Sequence, residues 1–179
     1  VFAVDRAGLV GNDGETHQGA FDLSFLSTVP NMTVISPKHK WELADMLRFA
    51  IAHDGPIAIR YPRGTAYDGY SEYREPIAYG KSEMISEGKE IAILSVGHMF
   101  EEAVKVSANL KDLVFDHSLI NARFVKPIDE TMIDELVKNH KLIVTIEENV
   151  QTGGFGERVL EYVSRKGDDV KVLILALPD

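Results

Sequence analysis

Cysteine is absent from the 179 residues, which excludes a disulfide framework, a thiolate nucleophile and a cysteine-based zinc site. Nothing in the sequence suggests secretion, and the composition agrees with a cytoplasmic location. Long apolar runs are also missing, and none approaches the roughly 18 residues that a membrane span requires. Positive charge is scarce. Lys and Arg number 19 against 28 Asp and Glu, for a formal net charge of −9. Binding to a phosphate backbone is driven by basic side chains releasing counterions, so nucleic acid is not an expected partner. Heptads, low-complexity tracts and short repeats are lacking as well. Hydrophobic residues make up 45% of the chain, enough to bury the core of one large domain or two small ones.

The opening Val1-Phe2-Ala3-Val4 reads as a buried strand with no initiator Met and no targeting pattern before it. The expectation is a piece of a longer polypeptide that opens in the middle of a domain. Short apolar runs then alternate with helical patterns. Strands are predicted at 1–4, 32–35 and 57–60, with helices at 20–28 and 38–53. In the second helix Leu43, Leu47, Ala50 and Ile51 share one face at helical spacing. Residues 61–80 lapse into Gly, Pro, Tyr and charge, the composition of a loop and linker. Past them come strands at 81–86, 90–96, 119–123, 142–146 and 170–177. The helices between them fall at 98–112, 129–139 and 154–165, with Phe100, Ala103, Val104 and Leu110 facing inward. Strand and helix in alternation imply parallel sheets covered on both faces. The fold class is therefore α/β, two doubly wound α/β/α units, divided into 1–80 with its linker and 81–179.

The chemistry concentrates in the loop from Asp5 to Gly19. It follows a strand and precedes a helix, so it lies at the carboxyl end of a parallel sheet, where open α/β folds place ligands. Gly8, Gly11, Gly14 and Gly19 let the backbone approach a ligand, while Arg6, Asp13 and His17 supply a cation, an acceptor and a proton carrier. That mixture suits a small anionic substrate undergoing proton transfer. The plainer alternative is a surface loop whose His17 caps the next helix and whose Asp13 forms an Asx-turn before Gly14.

The run from Asp5 to Leu26 closely resembles the loop of 1-deoxy-D-xylulose-5-phosphate synthases within their pyrimidine-binding domain. The resemblance continues through Pro30-Asn31-Met32, Asp54-Gly55-Pro56, Arg60-Tyr61-Pro62-Arg63-Gly64 and the stretch from Arg123 to Asp129. It extends to Glu147-Glu148-Asn149, Gly153-Gly154-Phe155-Gly156 and Leu177-Pro178-Asp179. Transketolases and the β subunits of 2-oxoacid dehydrogenases share the two-domain plan. The motif from His17 to Asp22, and Tyr61-Pro62-Arg63-Gly64, favour the synthase. Departures are confined to 38–42, a residue shorter than some members, and the variable linker at 67–75.

The resemblance implies a thiamine-diphosphate-dependent transferase of the transketolase type. Such an enzyme decarboxylates pyruvate and condenses the remaining two carbons with glyceraldehyde 3-phosphate. The product, 1-deoxy-D-xylulose 5-phosphate, feeds isoprenoid, thiamine and pyridoxal synthesis. Residues 1–80 would be the C-terminal part of the pyrimidine-binding (transketolase central) domain, and 81–179 a transketolase C-terminal-like domain. Carried over by position, His17 hydrogen-bonds the acceptor and helps move its proton, and Asp13 holds the acceptor's hydroxyl or orients its neighbours. Arg6 and Arg63 clamp the phosphate, whose oxygens suit guanidinium forks. A structural ion pair for Arg63 and a helix-packing role for Arg6 are the alternatives.

The family's ylid-promoting Glu and its diphosphate and Mg2+ site would lie upstream of Val1, in the remainder of the same protein, which is expected to be a homodimer. On that expectation the 179 residues alone bind no cofactor or metal and are inactive. Arg60 is read as pointing out of its strand, away from the site. Glu147 and Glu148 are read as packing and subunit-contact residues, because paired carboxylates repel an anion. His39, His53, His98, His117 and His140, which lack ligand spacing, are read as surface or capping residues. Transketolase-like ketol transfer and a noncatalytic α/β assembly module are the rival readings.

Overall fold

A computed structural model describes residues 1–178; Asp179, the end of the Leu177-Pro178-Asp179 motif, lies outside the described residues. The α/β alternation produces two sheets. The first has the order β1 (Phe2–Val4), β3 (Ile57–Arg60), β2 (Thr33–Ile35), β7 (Phe124–Lys126). β1, β3 and β2 run parallel and β7 closes the edge antiparallel. Every residue of β2 and β3 is buried, as short apolar runs must be when both faces of a parallel sheet are covered.

The second sheet has the order β4 (Glu83–Ser86), β6 (His117–Asn121), β5 (Ile91–Ser95), β8 (Leu142–Val150), β9 (Lys171–Leu177). Only β4 is antiparallel to its neighbour. The helices are α1 (Asp22–Thr28), α2 (Lys40–Ala52), α3 (Phe100–Asp112), α4 (Glu130–Asn139) and α5 (Phe155–Lys166).

Local chemistry sets the ends of these elements. The His39 side chain accepts the Glu42 N–H at the start of α2, and Asp129 accepts that of Met132 at the start of α4. Gly167, left-handed at φ 75°, stops α5. In α2 the buried face carries Glu42, Met46 and Ala50, while Leu47 and Ile51 are 40% and 80% exposed. The expected apolar face is therefore rotated, because a buried glutamate occupies it. His39 is a capping residue, as expected, though a buried one; His117 and His140 are buried rather than on the surface, and they bond the Ser107 and Ser118 hydroxyls.

The strand expected at 119–123 ends at Asn121, and a further strand not expected from the sequence, β7, follows at Phe124–Lys126. Arg123 sits at φ 56° and turns the chain out of β6, so that Phe124 and Val125 join the other sheet. One hydrophobic cluster consequently joins Leu23, Val34 and Ala58 to Val125, Ile143, Phe155 and Val159. Beside it lies a buried group of two cations and two carboxylates. Lys38 Nζ is 2.5 Å from Glu83 and 3.2 Å from Glu42, and Arg123 is 2.8 Å from each. Asn121 donates to Glu42 at 2.9 Å. Two of these pairs, Lys38–Glu83 and Arg123–Glu42, cross between residues 1–80 and 81–179.

Candidate functional site

Beyond Val4 the backbone enters the left-handed region at Arg6 (φ 59°) and again at Gly8 (φ 76°). Such a conformation is uncommon for a residue with a Cβ and occurs where surrounding contacts enforce it. The loop closes on itself, Gly8 N–H to Gly19 O at 3.2 Å and Gly19 N–H to Gly8 O at 2.8 Å. Gln18 fills the ring thus formed. Its carbonyl accepts the Val10 N–H at 2.5 Å, and its amide donates to the carbonyls of Val10 (2.9 Å) and Gly14 (2.6 Å). The loop is tied to the segment after β3 as well, through Ala7 N–H to Tyr61 O and Tyr61 N–H to Val4 O, both 3.0 Å. Since β1 and β3 are paired neighbours, Arg6 and Arg63 leave the same end of one sheet.

Both arginines meet on Asp13. Arg6 Nε is 2.6 Å from Oδ2, and Arg63 Nη1 bonds Oδ1. Asp5 accepts from Arg6 Nη1 at 2.7 Å. The Arg63 and Arg6 hydrogen bonds hold the Asp13 carboxyl below the usual range, and the Asp13 bond raises Arg6. Arg63 keeps 54% of its side chain exposed. It borders a cavity of about 280 Å3 with Leu9, Val10, Gly11 and Asn12, and a second of about 420 Å3 that reaches His98 and Glu148. A guanidinium beside an open cavity, with a second sharing its Asp13 partner, can receive a phosphate monoester by charge-assisted hydrogen bonds. Arg6, Asp13 and Arg63 are thus brought together. His17 is not in contact with them; it lies exposed in the same loop, with Nδ1 2.9 Å from Thr16 Oγ1.

Arg60, expected to point away, is fully buried. It ends a strand covered on both faces, so alternation of inside and outside does not apply to it. Its Nη2 donates to the carbonyls of Gly19 and Glu148, each at 2.7 Å. Asp22 lies 3.6 Å from its Nε. Glu147 behaves as a packing residue: its two oxygens accept the N–H groups of Phe155 and Gly156 at 2.8 Å, capping α5. Burial pushes its carboxyl up to about 7 against those bonds. Glu148 turns instead toward the loop and bonds His98 Nε2 at 2.5 Å. Burial pushes it up, but His98 and the Leu9 N–H outweigh burial and leave it below the ordinary value. β8 continues past the strand expected at 142–146, and its alternation sends the two carboxylates to opposite faces.

Among the described residues no three His, Asp or Glu side chains converge as metal ligands. No helix there is long and apolar enough to cross a membrane.

Residues 1–67 match the family described as transketolase, pyrimidine binding domain, and residues 80–179 the one described as transketolase, C-terminal domain. The chain is 51% identical over 180 residues to a 1-deoxy-D-xylulose-5-phosphate synthase of Lachnoclostridium phytofermentans. To that of Clostridium tetani it is 46% identical over 179 residues. In both comparisons all of this chain is covered and 29% of the relative, so the chain spans less than a third of the proteins it resembles. Among solved structures it superposes on a split-gene transketolase, an inactive β4 tetramer, with a TM-score of 0.89 and 26% identity over 99% of this chain and 57% of that one. The transketolase of Campylobacter jejuni, at TM-score 0.72 and 19% identity over 97% of this chain and 26% of that one, shares the fold.

Proposed function

The chain belongs to the transketolase family, and from that premise we propose that it forms the acceptor-binding part of a 1-deoxy-D-xylulose-5-phosphate synthase. The whole enzyme condenses pyruvate, with loss of CO2, and glyceraldehyde 3-phosphate. The observation that carries this reading is the meeting of Arg6 and Arg63 on Asp13 at the rim of one parallel sheet. Identity of 46–51% with synthases, against 26% with the split-gene transketolase, favours pyruvate over a ketose donor. Residues 1–80 are assigned to the pyrimidine-binding domain and its linker, and 81–179 to the C-terminal domain, within a homodimeric cytoplasmic protein.

In this reading the arginines take the acceptor's phosphate, with Asp13 keeping their forks apart and oriented while the site is empty. His17, free in the loop, hydrogen-bonds the acceptor's aldehyde oxygen. That oxygen gains negative charge as the new carbon–carbon bond forms, and the imidazole delivers a proton to it. Thiamine diphosphate supplies the two-carbon donor chemistry in the whole enzyme. The residues described here do not form a seat for its diphosphate and Mg2+. They offer no metal-ligating cluster, and Glu42, Glu83 and Glu147 are committed to buried ion pairs or to capping α5. The isolated 179 residues supplied with cofactor, Mg2+ and both substrates are expected to give no product.

The reading is tested in the full-length protein with Arg63→Ala. A charge-assisted hydrogen bond contributes about 1.5–3 kcal/mol, so KM for glyceraldehyde 3-phosphate should rise about 10- to 100-fold while KM for pyruvate stays put. An unchanged acceptor KM removes the clamp. His17→Ala should lower kcat by about 100-fold or more. Turnover with ketose donors but not with pyruvate would select ketol transfer instead.

A further inference from the structure

We propose that Glu148 is a positioning residue for the phosphate-gripping loop, through which the second sheet sets how firmly the arginines of the first hold a phosphorylated acceptor. The inference rests on the reading that Arg6 and Arg63 bind that phosphate. It begins with a close approach. Gly8 is at φ 76°, and a Cβ placed there would lie 1.8 Å from Glu148 Oε2. The carboxylate therefore lies directly against the loop backbone at Gly8, and it bonds His98 Nε2 at 2.5 Å.

The backbone of the same residue holds the other end of the loop. Its carbonyl accepts Arg60 Nη2 at 2.7 Å, and that nitrogen also donates to Gly19 O at 2.7 Å. Gly8 and Gly19 are the two residues whose mutual hydrogen bonds close the loop. One residue of β8 thus grips both ends of the loop, the first by its side chain and the second through a buried guanidinium. Arg60 Nε has only the Asp22 carboxylate at 3.6 Å, and Nη1 has no hydrogen-bond partner. A cation buried with two of its nitrogens lacking hydrogen bonds is costly to fold; what its third nitrogen does is join Gly19 to Glu148. Asp13 lies between these anchors and Arg6 two residues before the first, so a shift at Gly8 is passed through both to the arginine pair that meets on Asp13. A misplacement of about 1 Å in a binding constellation can cost up to about 100-fold.

The experiment uses the full-length enzyme. Glu148→Ala should raise KM for glyceraldehyde 3-phosphate about 10-fold, the loss expected for a hydrogen bond to a charged group. kcat and the pyruvate KM should stay within about twofold, near the usual scatter between independent sites. Glu148→Gln, which keeps the side chain's shape against Gly8 and a hydrogen-bonding group for His98, should restore most of the loss. In an Arg63→Ala background Glu148→Ala should add less than about twofold, because a residue that acts through the clamp has nothing left to position.

A loss shared equally by kcat and both KM values, or full additivity with Arg63→Ala, would overturn the proposal. If Glu148→Ala does not fold, His98→Ala carries the test. It removes the carboxylate's partner from the cavity side and should raise the acceptor KM roughly threefold, less than loss of the carboxylate itself; no rise overturns the proposal. The two readings fail separately: an Arg63→Ala enzyme with normal acceptor KM refutes the clamp. A clamp-dependent enzyme indifferent to Glu148→Ala and His98→Ala refutes only the positioning role.

Discussion

Glu147 and Glu83 are both buried carboxyls, yet they titrate in opposite directions. Burial raises each. At Glu83 the Lys38 hydrogen bond and the Arg123 charge overcome it and leave the group below the ordinary value. Glu147 has only two backbone N–H partners and a more distant Arg60, and stays raised, at about 7. The sign follows. Between the ordinary carboxyl range near 4.5 and about 7, the folded protein binds a proton at Glu147 that the unfolded chain does not. Stability from this group is therefore present at the acid end of the window and falls as pH rises through it, by on the order of 3 kcal/mol in all. Urea unfolding of wild type and Glu147→Gln across that range should show wild type losing stability relative to the variant as pH rises. Parallel profiles would mean that the two N–H donors already hold the carboxylate ionised. None of this was legible in Glu147-Glu148-Asn149 as letters, because neighbouring side chains at a strand's end point to opposite faces and only the fold says what each face meets. Arg60 was misread for a related reason: alternation distinguishes inside from outside only where one face of a sheet meets water.

Elements were easier to read than partnerships between them. Apolar runs such as Ile91–Ser95 and Ile57–Arg60 lie within the predicted strands, since hydrophobic burial and chain periodicity are local. β7 is three residues long and its partner β2 is some ninety residues earlier, so no local pattern announces it. The loop was legible in its chemistry, with Arg6 and Asp13 in one segment. The bond from Arg63 across fifty residues required the β1–β3 pairing. Asp129 shows how an element is fastened. Its side chain caps α4 through Met132 N–H at 3.2 Å, accepts Ser82 N–H at 2.8 Å and meets Lys81 at 3.1 Å. Asp129→Ala should cost about 2 kcal/mol in chemical denaturation, mostly from the lost cap and the stranded Ser82 N–H. Asp129→Asn keeps one acceptor but turns an amide N–H toward the other donor, and should recover only part. A full recovery would reduce the role of Asp129 to capping alone.

At the scale of the whole molecule, the loop works only if the two sheets keep their relative places, and the buried charges beside the shared hydrophobic cluster bear on that. Lys38 and Arg123 face Glu42 and Glu83 with side chains no more than 2% exposed, so the group is neutral as a set and costly when broken. Lys38→Met leaves two carboxylates sharing one guanidinium in a dry site, and breaking a buried pair in this way costs about 3–5 kcal/mol. Adding Glu83→Leu removes the surplus charge. If the four side chains act as one unit, the double variant should be more stable than Lys38→Met alone, with a coupling of about 1 kcal/mol or more in urea unfolding. Simple addition of the two single losses would show that the pairs stabilise each sheet separately. The double variant carries a second consequence for function, because a hydrophobic replacement can restore stability without restoring the direction of the original contacts. In the full-length enzyme it should therefore regain stability while its glyceraldehyde 3-phosphate KM stays raised, whereas recovery of both together would make the ionic group a matter of stability alone.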